Sequence, residues 1–323
     1  MSDINKKVAI IIVTWKGMKW IGTCLNSIRN SLYPATVFII DNNSPDETPD
    51  YIEKNFPEVE LTRSDKNLGF GKANNLAIRQ AMDAGFDYFF LLNQDAYLQP
   101  DTINCLLRAG DGDYGIISPI HLNGDATAVD FYFRDFVLAQ CPDYLDATQV
   151  GFNGRIVFES EFIPAAAWLL PRKTVEEIGG FDPLFYHYGE DDNYCSRVRY
   201  HQRKIVFITN ARVQHDRVGT IGNKKVYNKK MFFRNLLIAS MDQTKSTSSI
   251  IQKIGRQFYD DFGLWFMYLF MGKWSMLRNF IGDYFRLFCK MKQIKKDRNY
   301  YLKFKLRKTL RKMAGMIIPK YRS

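Results

Sequence analysis

Runs of β-branched and aromatic residues alternate with amphipathic stretches along the N-terminal part of the chain. The first two runs, Val8–Val13 and Val37–Asp41, end in polar turn residues, and Trp20–Leu32 between them has helical spacing of its apolar residues. This order predicts a βαβ unit. Four further segments continue the alternation as helix, strand, helix and strand: Thr48–Asn55, Val59–Thr62, Gly71–Ala84 and Tyr88–Leu92. An α/β fold with a mainly parallel central sheet follows.

Two polar segments near predicted strand ends are candidates for ligand binding, because ligands of such sheets bind beyond the carboxyl ends of the strands. The segment Asp41–Ser44 suits an Asx turn, and its carboxylate could also accept a hydrogen bond from a base or a ribose hydroxyl. In Asn67–Asn75, two glycines and Lys72 at the start of a helix favour a phosphate-bearing ligand. A dinucleotide fingerprint would need a third glycine, where this chain has Asn74.

A third polar segment, Asn93–Asp95, ends the predicted strand Tyr88–Leu92. A carboxylate at the end of a buried strand is costly unless it is solvated, paired or metal-bound. Mg²⁺ or Mn²⁺ held by Asp95 and by diphosphate oxygens is one solution, and a simple strand-ending turn is the other. The aromatic segment Asp130–Phe136 further along suggests a strand or a loop over the site.

Three consecutive acids, Glu190, Asp191 and Asp192, stand at a predicted helix start, where negative charge interacts favourably with the helix dipole. Successive helical residues point about 100° apart, so at least one carboxylate should face inward. There it could take a proton from an attacking hydroxyl. His215, which follows the predicted strand Ile205–Ile208, is either a core histidine or a metal ligand.

In this order the motifs resemble those of the family 2 glycosyltransferases of the GT-A fold, over about residues 6–218. Within the family the chain is most similar to bacterial enzymes that build surface polysaccharides, including the rhamnosyltransferase group. The matching pieces are Val13–Trp15, Asp41–Ser44, Asn67–Phe70 with Asn74 and Asn75, Leu92–Asp95, Gly179–Asp182, Glu190–Asp191, Arg197 and His215.

The resemblance implies a metal-dependent inverting hexosyltransferase with a GT-A domain over residues 1–225. Asp191 falls at the base position, while Glu190, Asp192 and Arg197 are alternatives for the base or for acceptor binding. Asp95 would hold Mg²⁺ or Mn²⁺, and His215 would complete the metal site. The implied donor-binding residues are Thr14, Asp41, Asn43, Asn67, Gly69, Phe70, Lys72, Asn74, Asn93 and Asp95.

The implied donor is a nucleotide sugar, dTDP-rhamnose or a UDP-hexose, and the implied acceptor is a glycan or a lipid-linked sugar. One position departs from the family's Glu-Asp-x-Asp pattern: Asn193 replaces the last acid, and Asp192 adds an acid one place earlier. A GT-A protein that only binds a nucleotide or glycan therefore stays open as an alternative.

The net charge of +11 is concentrated at the C-terminal end. Residues 290–323 contain thirteen Lys or Arg and one acid, so the rest of the chain is close to neutral. Apolar residues recur there at three- or four-residue steps, namely Leu302, Leu306, Leu310, Met313 and Ile317. This pattern predicts a basic amphipathic helix in a helical region 226–323 that docks on an anionic membrane surface. The uncharged piece Phe262–Gly272 is too short to span a bilayer.

The five cysteines are widely spaced and form no C-x-x-C pair, which favours a reducing cytoplasm. The expected location is therefore peripheral, on the inner face of the cell membrane. A nucleic-acid-binding protein is the competing hypothesis, because Tyr300, Tyr301 and Phe304 could stack on bases within the basic region. That hypothesis leaves the ordered acidic motifs without a role, so we predict no nucleic-acid partner.

Overall fold

The computed structural model describes residues 6–109, 112–217, 229–272 and 274–313. Its strands are β1 (Val8–Thr14), β2 (Thr36–Asp41), β3 (Glu60–Arg63), β4 (Tyr88–Leu92), β5 (Ala96–Leu98), β6 (Tyr114–Asn123), β7 (Val157–Ser160), β8 (Ala167–Pro171) and β9 (Lys204–His215). Its helices are α1 (Ile21–Arg29), α2 (Thr48–Asn55), α3 (Phe70–Asp83), α4 (Thr102–Leu107), α5 (Phe131–Phe136), α6 (Pro142–Val150), α7 (Arg172–Ile178), α8 (Glu190–Tyr200), α9 (Lys229–Met241), α10 (Thr247–Phe270) and α11 (Trp274–Met313).

The chain divides near residue 219 into two compact units. In the first unit one sheet joins the strands in the order β3-β2-β1-β4-β8-β6-β9-β5, with β7 paired along β9. Strands β3, β2, β1 and β4 are parallel, as are β6 and β9, whereas β8, β5 and β7 pair antiparallel with their neighbours. The predicted α/β fold is confirmed. The carboxyl ends of β1, β2 and β4 consequently meet at one edge of the sheet.

Apolar side chains cover both faces of this sheet, which explains the unbroken apolar run of β1. Ala9 and Ile11 belong to one buried cluster, to which α3 contributes its apolar face. Ile10 and Ile12 belong to a second cluster, which α1 covers from the other side. Strands buried on both faces read as continuous apolar segments rather than alternating ones.

The segment Asp130–Phe136 is neither the strand nor the loop that its aromatic residues suggest. It forms the short helix α5, because the Asp130 side chain accepts a hydrogen bond from the Phe133 backbone N–H at 3.0 Å and so caps the helix. Phe133 is fully buried and fixes the helix on the sheet. Residues Phe131, Tyr132 and Phe136 stay exposed.

In the second unit, α9 and α11 pack through buried apolar side chains, including those of Leu236 and Ile294. The Arg298 guanidinium donates hydrogen bonds to the carbonyl oxygens of Ser240, Asp242 and Lys245, at and just beyond the C-terminal end of α9. The bond to Ser240 satisfies a carbonyl that a helix end leaves without an intrahelical partner, and the other two fix the loop that follows. Helix α11 continues to Met313, and Ile317 of the predicted amphipathic pattern lies outside the described residues. None of the described helices has the length and hydropathy of a membrane span.

Candidate active site

Thr14 and Asp41 lie side by side at the ends of β1 and β2. The Thr14 hydroxyl donates to Asp41 Oδ1 at 3.0 Å, and Asp41 Oδ2 accepts from the Ser44 backbone N–H at 2.9 Å. The Asp41 side chain therefore closes the turn by bonding three residues ahead, one more than in an Asx turn, and each carboxylate oxygen keeps a second lone pair for a ligand. Asn43 follows with a left-handed backbone, φ 60°, and an exposed side chain.

Asn67 holds the loop that leads into α3. Its side-chain oxygen accepts hydrogen bonds from Asn42 Nδ2 at 3.1 Å, from the Gly69 N–H at 2.9 Å and from the Tyr186 hydroxyl at 3.1 Å. Gly69 has φ 79°, and a Cβ there would lie 2.3 Å from the Tyr186 carbonyl oxygen. Only glycine fits this position. The N-terminal end of α3 is thereby fixed beside the turn that follows β2.

Four predicted motif residues lie on the first turns of α3. Asn74 is buried and donates to the Phe70 carbonyl at 3.0 Å, and the Phe70 ring packs against Phe181 with centroids 5.7 Å apart. Asn75 exchanges two hydrogen bonds with the Phe181 backbone, at 2.7 and 2.9 Å. Lys72 is exposed. Asn75 thus ties α3 to the segment around Phe181, Asn74 bonds within α3, and Lys72 stays open to solvent.

The loop after β4 is joined to the end of β1 by Gln94. Its side-chain amide exchanges hydrogen bonds with the Trp15 backbone at 3.0 and 3.1 Å. The Asn93 backbone N–H donates to the Ala166 carbonyl at 2.9 Å, which joins the loop to the segment before β8. Asn93 itself is half-buried, and Asp95 follows it with a side chain that is 23% exposed.

Asp95 and His215, the two residues predicted at a metal, lie close together because β5 pairs with the end of β9. Asp95 Oδ1 is 3.4 Å from His215 Nε2. On the other side of the ring, Arg217 Nε donates to His215 Nδ1 at 3.0 Å and lies 3.4 Å from Asp130 Oδ2. Arginine has no acceptor, so Nδ1 must accept this bond and the ring hydrogen belongs on Nε2, facing Asp95.

The three acids form the first turn of α8, which begins after Gly189 with its left-handed backbone at φ 92°. Glu190 is 5% exposed, and its Oε2 has no hydrogen-bond partner among the described residues. Burial, together with the neighbouring charge of Asp191, raises the pKa of Glu190 to about 7. Asp191 and Asp192 are half-buried, and Asp191 Oδ1 accepts from the Asp192 N–H at 3.0 Å.

The first turn of α8 borders the first turn of α3. A Cβ on Gly71 would lie 2.9 Å from the Cβ of Phe181 and 4.0 Å from the Cβ of Glu190. Farther along α8, the Cys195 thiol lies 3.9 Å from the Ile163 carbonyl oxygen, in the segment that leads into β8, the antiparallel neighbour of β4. The acids therefore lie beside the helix start that is suited to a phosphate.

Arg197 is not where a base or an acceptor-binding residue would be expected. The side chain is 1% exposed and donates to Asn193 Oδ1 at 3.0 Å, to the Ile178 carbonyl at 3.0 Å and to the Gly180 carbonyl at 2.7 Å. This burial corrects the prediction: Arg197 ties α8 to the turn after α7. Asn193, the departure from the family pattern, supplies one of these acceptors.

Sequence reasoning did not identify Arg217 or Tyr186 as parts of this region, and it named Asp130 only as the first residue of a segment over the site. Asp130 carries a recognisable signal, because an aspartate just before an apolar segment is a common helix N-cap. Tyr186 bonds to Asn67, 119 residues earlier, and Arg217 reaches Asp130 across the sheet. Contacts of that separation leave no local pattern in a sequence.

Residues 9–143 match the sequence model of Glycosyl transferase family 2. The chain is also similar to the N-acetylglucosaminyl-diphospho-decaprenol L-rhamnosyltransferase of Mycobacterium tuberculosis, with 27% identity in an alignment over 211 residues that covers 58% of this chain and 69% of that protein. The family resemblance predicted from the ordered motifs is confirmed.

Two solved structures show the same fold. S. aureus TarS, residues 1–349, aligns with a TM-score of 0.52 at 14% identity, over 76% of this chain and 68% of that one. The mannosyltransferase PcManGT from Pyrobaculum calidifontis, solved in complex with GDP-Man and Mn²⁺, aligns with a TM-score of 0.50 at 18% identity, over 74% of this chain and 63% of that one. Residues 9–143 therefore resemble the family 2 glycosyltransferases, and the chain shares the GT-A fold of these two solved structures.

Proposed function

We propose that the chain is an inverting glycosyltransferase that moves a sugar from a nucleoside diphosphate donor to a hydroxyl of a glycan or lipid-linked acceptor. This proposal rests on the proximity of the first turns of α3 and α8. A Cβ built on Gly71 would lie 4.0 Å from the Cβ of Glu190. One turn offers backbone N–H groups to an anion, and the other supplies carboxylates for a proton.

The donor's nucleoside is assigned to the ends of β1 and β2, where Thr14 and Asp41 are buried and keep acceptor capacity. Asn43 and Asn93 border the same edge on flanking loops. The diphosphate is assigned to the N-terminal end of α3, where the helix dipole favours negative charge. Gly69, which has no side chain, lets a phosphate approach the backbone there.

Asp95 is proposed to hold Mg²⁺ or Mn²⁺ at the diphosphate. A carboxylate is the ligand that these cations prefer, with phosphate oxygens and water completing the coordination. Among the residues that the structure describes, no third acidic, histidine or cysteine side chain joins Asp95 and His215. When bound, the cation supplies positive charge that stabilises the leaving diphosphate.

His215 fits the predicted role of metal ligand less well than Asp95 does. Ligation through Nε2 would require the ring hydrogen to move to Nδ1, which here accepts a hydrogen bond from Arg217. We therefore assign His215 as the group that positions Asp95, whose Oδ1 lies 3.4 Å from His215 Nε2. Such partners fix the direction of a metal-binding carboxylate.

Asp191 is the proposed base. It falls at the base position of the family pattern and is half-buried, whereas Glu190 is 5% exposed and so less open to an acceptor hydroxyl. Asp191 takes the proton of the acceptor hydroxyl as its oxygen bonds to the anomeric carbon. The bond from that carbon to the diphosphate oxygen breaks on the opposite face, and its electron pair leaves with the nucleoside diphosphate. One displacement inverts the anomeric centre.

The mycobacterial relative guides the choice of substrates. Its name combines an L-rhamnosyl group with a sugar diphosphate on a decaprenol lipid. For the present chain we propose dTDP-rhamnose as the donor, with a UDP-hexose as the alternative. The proposed acceptor is a lipid-linked sugar of bacterial surface polysaccharide synthesis.

Membrane attachment is assigned to the C-terminal region 226–323, with residues 1–225 as the catalytic domain. The basic residues after position 289 carry this part of the proposal, because each contributes about 1 kcal/mol near an anionic surface. The enzyme would then work peripherally on the cytoplasmic face of the cell membrane, close to a lipid-linked acceptor.

A thermal-shift series tests the donor site directly. The full-length protein is heated with dTDP, UDP, GDP and their sugars, with Mn²⁺ and with chelator. A cognate nucleotide at 100 times its Kd stabilises the fold by about 2.7 kcal/mol. Asp41→Ala should abolish the shift, while Asp46→Ala, on the adjacent turn, should keep it. No stabilisation by any of these nucleotides would contradict the proposed function.

A further inference from the structure

Helix α5 exposes three aromatic side chains on one small surface. Phe131, Tyr132 and Phe136 are each 46% or 47% exposed. The rings of Tyr132 and Phe136 are nearly parallel, with an interplanar angle of 13° and centroids 5.8 Å apart, and Phe131 stands at 87° to Tyr132. We name these three side chains the aromatic platform.

The aromatic platform is held rigidly beside the candidate active site. Beneath it, the buried Phe133 ring contacts the His121 ring, with centroids 4.6 Å apart. The Arg217 guanidinium lies 4.6 Å from the centroid of Tyr132 while its Nε donates to His215. One arginine therefore touches both the platform and the residue that orients Asp95.

The chemistry around the platform is polar and balanced in charge. The Arg134 guanidinium lies 5.2 Å from the centroid of Phe131 and pairs with Asp135 at 2.9 Å, while Arg217 pairs with Asp130 at 3.4 Å. A polyanion would meet no excess of positive charge here, and an acyl chain would meet ionic groups beside the aromatic rings. A neutral sugar ring suits both features, because its apolar face packs on aromatic rings and its hydroxyls bond to the flanking ions.

We propose that the aromatic platform is the binding subsite for a sugar ring of the acceptor. This inference rests on the proposed function, since it names where the second substrate sits. Tyr132 and Phe136 would carry the sugar ring and Arg217 would bond to its hydroxyls. The platform then sets the acceptor's affinity and leaves donor binding and the chemistry at Asp95 and Asp191 unchanged.

The test compares two double variants of the full-length protein. Tyr132→Ala with Phe136→Ala removes both rings, and Tyr132→Phe with Phe136→Tyr keeps both at the same positions. Saturation-transfer NMR is recorded with methyl glycosides of rhamnose and N-acetylglucosamine, and with farnesyl phosphate as a lipid probe. Steady-state transfer to a short-chain lipid-linked sugar gives the KM for the acceptor. Hydrolysis of the donor, measured without an acceptor, gives a kcat that does not depend on acceptor binding.

We expect the ring-free variant to lose the glycoside signal and to raise the acceptor KM at least tenfold, with unchanged donor hydrolysis and donor thermal shift. The ring-keeping variant should match wild type. Loss of farnesyl phosphate binding with retained glycoside binding would overturn the inference in favour of a lipid site, and equal acceptor KM in both variants would also overturn it. If wild type transfers no sugar but ring-dependent glycoside binding persists, the proposed function fails and the subsite stands.

Discussion

Asp191 stands on the first turn of α8, between the buried Glu190 and the half-buried Asp192. We expect Asp191→Asn to lower kcat by roughly 10² to 10⁴, because the shape is kept and the base is lost. Nucleotide affinity and the free energy of unfolding should stay near wild type. Steady-state kinetics with thermal shifts check this, with Glu190→Gln and Asp192→Asn measured alongside. A collapse in either of these two variants, with normal turnover in Asp191→Asn, would move the base to that neighbour.

Glu190 should make stability depend on pH. Its folded pKa of about 7 lies above the ordinary 4.5, so the folded state holds a proton that the unfolded chain has released. Stability is therefore full below about pH 4.5 and falls as the pH rises to about 7, by up to about 3 kcal/mol. Denaturant unfolding of wild type and Glu190→Gln at pH 5 and pH 8 tests this. Parallel pH dependence in the two proteins would refute the assignment.

Asp95 should govern metal dependence. We expect Asp95→Ala to lose most donor affinity and the response to Mn²⁺, since the diphosphate loses its bridging charge. His215→Ala should be milder and weaken donor affinity about tenfold, because His215 contacts Asp95 and not the metal itself. Donor Kd, measured with and without Mn²⁺, distinguishes the two. Undiminished transfer in excess chelator would contradict the metal site.

The sequence predicts these residues unequally well. Asp41 and Asp95 could be identified because each follows a strand of a parallel sheet, where binding sites form. The sequence did not separate Asn74, which bonds inside its own helix, from residues open to a ligand. It also could not show which of three adjacent acids is buried, because that depends on Gly71 and Phe181 of other segments.

Among the elements, α8 is fixed to the rest of the domain through Arg197. We expect Arg197→Met to lower the free energy of unfolding by about 3 kcal/mol, because the carbonyls of Ile178 and Gly180 would lose charge-assisted hydrogen bonds. Arg199→Met, two residues along the same helix, removes a contact to the exposed Glu161 and should cost under about 1 kcal/mol. Denaturant melts measure both, and equal losses would show that Arg197 has no special structural role.

The alternation of strands and helices was predictable for the N-terminal half. Buried strands appear there as continuous apolar runs, and amphipathic helices as apolar residues at three- or four-residue steps. Helix α1, for example, forms at Ile21–Arg29 within the predicted Trp20–Leu32. Helix α5 was not predictable from its aromatic residues, which favour strands in isolation. Its Asp130 cap and the burial of Phe133 override that preference.

For the whole molecule, the proposed membrane attachment gives a further prediction. A chain ending at Tyr301 keeps the buried Ile294 and Arg298 but loses residues 302–323, which contain eight Lys or Arg and no acid. We expect weaker sedimentation with anionic vesicles, most clearly at low salt, and unchanged hydrolysis of the donor. Zwitterionic vesicles serve as the control. Equal binding by both proteins at low and high salt would refute the electrostatic role.

At this scale the charge pattern located the C-terminal region, since its basic residues stand apart from a near-neutral remainder. The contacts of Arg298 with the end of α9 could not be foreseen, because they join residues more than fifty positions apart. The order of β8, β6 and β9 in the sheet was equally hidden, because nothing in the sequence indicates which of these strands pair.

Transfer of one sugar to a lipid-linked acceptor is the most direct measurement of the central claim. Full-length protein is incubated with dTDP-rhamnose or a UDP-hexose, Mn²⁺ and a short-chain N-acetylglucosaminyl diphosphate lipid, and the products are examined by mass spectrometry and NMR. The account predicts an acceptor heavier by one sugar, an equal amount of nucleoside diphosphate, and an anomeric configuration opposite to that of the donor. Tight nucleotide binding without transfer, or a product that retains the donor's configuration, would contradict it.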